Sequence, residues 1–308
     1  KTQFYKFEEG QKKYYNIESK NYQSIPGMES FMILDSFRSQ SPIVKNSESI
    51  VHDIGDGVLC LEFTGKSNSI GEGVGKALIE VLEIAENENW KGLVIGNNAK
   101  QFSVGANLMN IGMIAMQKQF DQLERFVDDF QQINMRIRTS KIPVVVATQG
   151  YVFGGGCEIA MHCDAGIYAS ESYIGLVEVG VGLLPGGGGT KEFALRASDD
   201  FFEGDVQSPT LINYFKSIAT AAVSTSAYEA FDLNYLKKGR DEVCVNTQMN
   251  IGLAKEKVLK LSKNYTPPSA RENIQVLGRS GMGVLYSAIN EFRMGEYMSD
   301  YDVEIARK

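Results

Sequence analysis

Between Lys141 and Asp164 the chain reads KIPVVVATQGYVFGGGCEIAMHCD, and no other stretch restricts the fold as tightly. Pro143 opens PVVVATQG, whose apolar run has the character of a buried strand. Gly154, Gly155 and Gly156 then lead directly into CEIAM, an apolar segment of helical character. Glycines at a strand-to-helix junction allow close backbone approach and unusual φ/ψ. One carboxylate, Glu158, sits in that helix. Burying an unpaired charge costs several kcal/mol, so Glu158 either faces water or occupies a pocket in which it has a function.

The same alternation extends along the middle of the chain. GVLCLEF (57–63) reads as a strand, and Val74 to Ala85 as a helix, with Val74, Ala77, Leu78, Val81, Leu82 and Ala85 at helical spacing. KGLVIGNN supplies another buried strand, followed by a glycine-bearing loop, QFSVGANL. Residues 117–138 form the clearest helix, and its stripe of Phe120, Leu123, Val127, Phe130, Ile133 and Ile137 is assigned to the core. AGIYAS and SYIGL are strand-like, and TKEFALR opens a helix. Strands alternating with helices specify an α/β domain.

Beyond Asp199 the pattern is mainly helical, with Leu211–Ala222, Thr247–Leu261 and Arg271–Phe292 as helices and Pro267-Pro268 between the last two. Residues 1–50 are polar and aromatic, and FYKF and KKYYNIES are candidate short strands. The chain thus divides into an N-terminal extension or interdomain segment (1–49), a core (50–198) and a mainly helical C-terminal region (199–308). It begins at Lys1 rather than a methionine, which reads as a piece of a longer polypeptide.

Composition narrows the function classes. A net charge of -7 argues against nucleic acid, which needs a basic stripe, but leaves room for an anionic small molecule. The four cysteines lack C-x-x-C spacing, and with only His52 and His162 no zinc pattern is present, so no metal is expected. A reduced cytoplasmic protein follows from the same cysteine usage. No apolar run approaches the length of a membrane span. Many of the 31 glycines cluster between residues 150 and 189, which marks special backbone geometry there.

The first N–H groups of the helix after Gly154–Gly156 lack intrahelical partners and carry the positive end of its dipole. Such a site suits an anion or a carbonyl oxygen gaining charge. A phosphate loop would need Gly-Lys-Ser/Thr after the glycines, whereas Cys157 and Glu158 follow here. A carboxylate so close would repel phosphate, so a polarised carbonyl is the better guest. SVGANL can bring a second donor, the N–H of Ala106. Glu178, in GLVEVGVGLLPGGGG, is a second carboxylate among apolar residues. Two carboxyls in one apolar pocket push their pKa values apart, leaving one acid and one base. That device suits addition of water across a double bond.

GYVFGGGCEIAMHCDAGIYASESYIGLVEVGVGLLPGGGGT resembles the signature region of the enoyl-CoA hydratase/isomerase (crotonase) superfamily. FSVGANL and KIPVVVATQG are similar to its flanking elements, in the same order. The resemblance implies an α/β fold, a crotonase-like spiral of ββα units with a helical C-terminal region. It implies that Ala106 and Gly155 donate the N–H groups holding a thioester oxygen, and that Glu158 and Glu178 flank the catalytic water. Glu178 then serves as proton donor and Glu158 as base. It further implies that Gly105, Asn107, Gly154 and Gly186 line the substrate site, although many members carry Asp where Asn107 stands. Lys66 either approaches the phosphates of coenzyme A or is simply solvated. No cofactor is implied, coenzyme A being part of the acyl-CoA substrate.

More loosely, FYKFEEGQKKYYNIESKNYQSIP and IATAAVSTSAYEAFDLNYL resemble segments of a fused 3-hydroxyacyl-CoA dehydrogenase/enoyl-CoA hydratase. The resemblance implies a dehydrogenase domain in the full-length chain, a place in fatty-acid β-oxidation, and a homo-oligomer among the assemblies available. The stretch ASDDFFEGDVQSPT replaces the short connection of simpler hydratases. Two other functions stay open: Δ3,Δ2-enoyl-CoA isomerase, and a non-catalytic acyl-CoA-binding or scaffolding domain. A serine hydrolase is set aside because no G-x-S-x-G elbow occurs. Cys157, Cys163 and His162 are assigned to packing, and Gly186–Gly189 to a turn without chemistry of its own.

Overall fold

A computed structural model describes residues 3–308 apart from 9, 29 and 39, so that the leading Lys1 lies outside the described residues. Strands β1 (Tyr5–Glu8), β2 (Gln11–Asn16) and β3 (Asn21–Ser24) form a small antiparallel sheet, matching the two aromatic segments that read as strands. Then come β4 (Val44–Lys45), β5 (Ser49–Asp53), β6 (Val58–Phe63), α1 (Glu72–Asn87) and β7 (Gly92–Gly96). Helices α2 (Leu108–Met116) and α3 (Phe120–Arg138) precede β8 (Val144–Thr148), β9 (Tyr151–Phe153) and α4 (Gly155–His162). Strands β10 (Ala165–Ala169) and β11 (Tyr173–Gly175) lead to α5 (Gly189–Asp199), α6 (Ser208–Ala219) and α7 (Ala227–Asp232). The chain ends with β12 (Glu242–Cys244), α8 (Asn250–Leu261), α9 (Gly278–Met294) and α10 (Asp300–Ala306).

The main sheet has the order β12-β10-β8-β7-β6-β5-β4. Its β4-β5-β6 edge is antiparallel, and every pairing from β6 to β12 is parallel. Both faces are covered. Leu59, Leu61, Leu93, Ile95, Val144 and Val146 pack with Val74, Leu78 and Leu82 of α1. The alternate residues Cys60, Val94, Val145 and Ala147 pack with Ile251, Ala254 and Val258 of α8. A strand buried on both faces gains nothing from polar alternation, which is why these strands read as continuous apolar runs.

The boundaries at 49 and 198 do not delimit this sheet. Met32, Leu34 and Phe37 enter the α8-side core, and β4 adds an edge strand. At the other edge, β12 and α8 come from the mainly helical region. Three-residue β12, with one buried side chain, is too short to leave a period in the sequence. The helix expected over Arg271–Phe292 starts only at Gly278; before it, the Tyr265 hydroxyl lies 3.1 Å from both Asp164 carboxylate oxygens, tethering an extended segment.

Helix α3 departs from expectation in a way that matters for function. Of its apolar stripe only Ile137 is buried, and Phe120 is 62% exposed. Phe130 and Ile133 face a cavity of about 1080 Å³ between α1, α2 and α3, while Phe120, Leu123 and Val127 line a groove on the other side. Phe130 and Ile133 also pack against the core that holds Ile137, so the stripe is core at its C-terminal half and lines the cavity and groove elsewhere. Among the described residues, no helix is long and apolar enough to cross a membrane.

Candidate active site

The loop before α2 is held as a strand against two neighbours. Ile70 N–H donates to Gly105 O at 2.9 Å, and Asn107 N–H donates to Ile70 O at 3.1 Å. These bonds bracket Ala106, so alternation turns its own N–H to the opposite side. On that side Ser103 pairs with Val152 of β9: Phe153 N–H donates to Ser103 O at 3.1 Å. The 103–106 segment therefore lies alongside the strand that enters α4. A methyl group at Gly105 would stand 3.4 Å from Gly155 N and 3.5 Å from Gly154 Cα.

Two glycines make this approach feasible. Gly105 has φ +92° and Gly154 φ +52°, a region that side chains rarely occupy. Gly154 is the N-cap of α4 and donates its N–H to Gly175 O of β11 at 2.9 Å. Gly155 N–H, in the first turn, has no intrahelical acceptor. Among the described residues neither this N–H nor that of Ala106 has a protein acceptor. Two unpaired donors thus meet where the loops touch.

Glu158, one turn into α4, is fully buried. Its Oε1 accepts the N–H of Gly189 at 2.8 Å. Burial pushes its carboxyl up to about 7, opposed by the N–H groups of Gly189, Gly187 and Gly188 and by the Lys191 charge. Glu178 sits on a 3₁₀ turn, Glu178–Val181, with Oε1 beside Gly154 and Oε2 buried without a partner. Burial and then the charge of Glu158 push it up to about 8. Glu158 has three main-chain donors and a nearby cation, whereas Glu178 has only its own backbone N–H. The donors and the Lys191 charge favour the ionised form at Glu158, and burial beside Glu158 favours the protonated form at Glu178.

The same shifts predict a stability effect. Between about pH 4.5 and 8 the native state holds protons that the unfolded chain has lost, so stability falls as pH rises through that window. Glu178→Gln is expected to raise the thermal midpoint at pH 8 and to do so less at pH 5, by roughly 2–4 °C per kcal/mol relieved. Circular dichroism melts at both pH values check it. Equal shifts at the two would contradict the assignment.

The other sequence candidates fall differently. Asn107 caps α2, its side-chain oxygen accepting from Met109 N–H at 3.2 Å. Gly186 faces α3, its carbonyl accepting from Gln131 Nε2 at 2.7 Å. Lys66 stands exposed on the turn Lys66–Asn68. The Gly186–Gly189 run, expected to have no chemistry of its own, supplies the donors on Glu158. A signal existed: glycines immediately before a helix expose free N–H groups. What the sequence could not say was which carboxylate they would meet.

A profile of the family described as "Enoyl-CoA hydratase/isomerase" matches residues 53–200. This part of the chain is an enoyl-CoA hydratase/isomerase family domain. A "Probable 3-hydroxyacyl-CoA dehydrogenase" of Bacillus subtilis (strain 168) is 38% identical over 266 residues, covering 86% of this chain and 33% of that protein. A "Putative fatty acid oxidation complex trifunctional enzyme" of Rickettsia felis is 27% identical over 262 residues, covering 84% and 33%. The chain spans about a third of the length of these curated relatives. Among solved structures, an enoyl-CoA hydratase from Polaromonas sp. JS666 superposes with a TM-score of 0.58 at 18% identity, over 84% of this chain and 88% of that one. The fold is crotonase-like.

Proposed function

We propose that this domain hydrates trans-2-enoyl-CoA thioesters to 3-hydroxyacyl-CoA. One observation carries the proposal: two buried carboxyls, only one of them bonded by the glycine N–H groups before α5, lie on the segments that carry two unpaired backbone donors. The N–H groups of Ala106 and Gly155 hold the thioester oxygen as it gains charge, the role in which fixed dipoles stabilise a transition state. Glu158 takes a proton from water as the water oxygen bonds to C3. Glu178 delivers a proton to C2, and the two carboxyls then exchange a proton to restore the starting state. Coenzyme A arrives with the substrate, so the reaction needs no cofactor.

The cavity supports an acyl guest. Ala106 lines it together with Ile70, Ile79, Met113, Phe126 and Phe130. Glu72, Glu80, Glu83 and Asp129 outnumber Lys76 and Arg125 along its walls. An acidic excess repels the phosphates of coenzyme A, so the hydrocarbon chain takes this route. In the full-length protein, a fused dehydrogenase would oxidise the 3-hydroxy product, in keeping with the name of the Bacillus subtilis relative.

Crotonyl-CoA supplied in H₂¹⁸O separates the readings. Hydration places solvent oxygen at C3 with loss of the enoyl thioester absorbance. Acyl-CoA binding without turnover, or double-bond migration in a 3-enoyl-CoA with no hydration of crotonyl-CoA, would defeat the proposal.

A further inference from the structure

We propose that Lys191 and His162 form a latch that holds Glu158 in its proton-accepting position, Lys191 acting as a positioning residue through the His162 ring. This rests on the reading of Glu158 as the base. His162 is buried at the end of α4, and its Nδ1–H donates to the backbone carbonyl of Glu158 at 2.6 Å. Its Nε2 accepts from Lys191 Nζ at 2.8 Å. Lys191 lies two residues after Gly189, whose N–H binds the Glu158 carboxylate. The bonds close a ring. Backbone and side chain of Glu158 are both fastened to the first turn of α5, one through imidazole and ammonium, the other through a main-chain donor.

The surroundings keep the imidazole neutral, as the ring requires. Burial, ahead of the nearby cations, holds His162 down at about 4, so Nδ1 carries the proton and Nε2 has a free lone pair. At Gly188 any Cβ would come within 2.9 Å of the His162 ring, so α5 begins in contact with it. The Lys191 ammonium also reaches Glu192 Oε1 at 3.0 Å and Met135 Sδ at 3.2 Å. Glu192 is paired in turn with Arg138 at 2.6 Å, which leaves its charge largely neutralised.

The groups facing Glu158 are therefore few. Glu178 on its 3₁₀ turn is the other carboxyl, and the Cys157 thiol on α4 is kept protonated by burial. Lys191 is the cation acting on Glu158, with Glu192, Arg138 and Arg196 behind it. A lysine serving only to pack α5 on α4 would be replaceable by an uncharged side chain of equal length. A latch whose charge favours the ionised carboxylate would not.

The test uses the full chain and reads Glu158 without turnover. The infrared carboxyl band of Glu158 is assigned by its loss in Glu158→Gln and followed against pH. In Lys191→Met the midpoint is expected to rise by at least about half a pH unit, and in Lys191→Arg to stay within about 0.3 of the parent. His162→Gln, which cuts the link but leaves the charge, is expected to lower kcat/KM by about three- to tenfold with KM unchanged. In Lys191→Met the acid limb of kcat/KM for crotonyl-CoA moves upward with the band. An unmoved midpoint in Lys191→Met, or an equal displacement in Lys191→Arg, overturns the latch. If Lys191→Met does not fold, Lys191→Gln takes its place with the same expectation. Because the band is read without substrate, absence of hydration in the parent refutes the proposed reaction separately.

Discussion

Glu158→Gln is expected to lower kcat for hydration of crotonyl-CoA by about 10²–10⁴-fold while changing KM by less than about threefold. The substitution keeps the shape of the side chain and one acceptor oxygen for Gly189 N–H. It removes the group proposed to take a proton from water. It also turns an NH₂ toward the N–H groups of Gly187 and Gly188, which now face the carboxylate, so donor opposes donor. Stopped-flow absorbance at the enoyl thioester band gives kcat and KM together. A variant that hydrates crotonyl-CoA at the parental rate would remove Glu158 from the reaction.

Gly105→Ala is expected to cost about 10²–10³-fold in kcat, the loss associated with one misplaced oxyanion donor. At φ +92° an alanine is strained, by about 1–2 kcal/mol. Its methyl would also press to 3.0 Å on Phe153 O and 3.4 Å on Gly155 N, wedging apart the loops that bring the two donors together. Gly112 on α2 provides the control. A Cβ there meets nothing within 4 Å and the position is inside a helix, so Gly112→Ala should leave kcat unchanged and raise the thermal midpoint slightly. Turnover of Gly105→Ala within threefold of the parent would dissociate the 105–106 loop from the chemistry.

Much of the architecture was legible from local pattern. The apolar runs at 58–63, 92–96 and 144–148 became the both-faces-buried strands of the sheet. The Val74–Ala85 stripe became the buried face of α1. Gly105 and Gly154 both take positive φ where the two loops of the candidate site approach. In each case the cause is local, since burial periodicity and allowed φ/ψ are properties of a few consecutive residues. The candidate glutamates were visible for the same reason: a carboxylate in an apolar segment demands an explanation wherever the segment folds.

Tertiary structure decided what stands opposite each of those local features. An amphipathic stripe is core along α1 but only partly so along α3, whose Phe120, Leu123 and Val127 line an open groove, because contacts between distant segments determine what faces it. Gly187 to Gly189 could have opened onto solvent; instead they meet a carboxylate 31 residues earlier in the chain. That meeting gives Glu158 its donors and leaves Glu178 with only its own backbone N–H, which no composition or spacing expresses. Proton affinity depends on the dielectric and the dipoles within a few ångströms of a group. Sequence alone therefore named two candidate acids, and the packing of α4 against α5 decided which of them is surrounded by main-chain donors.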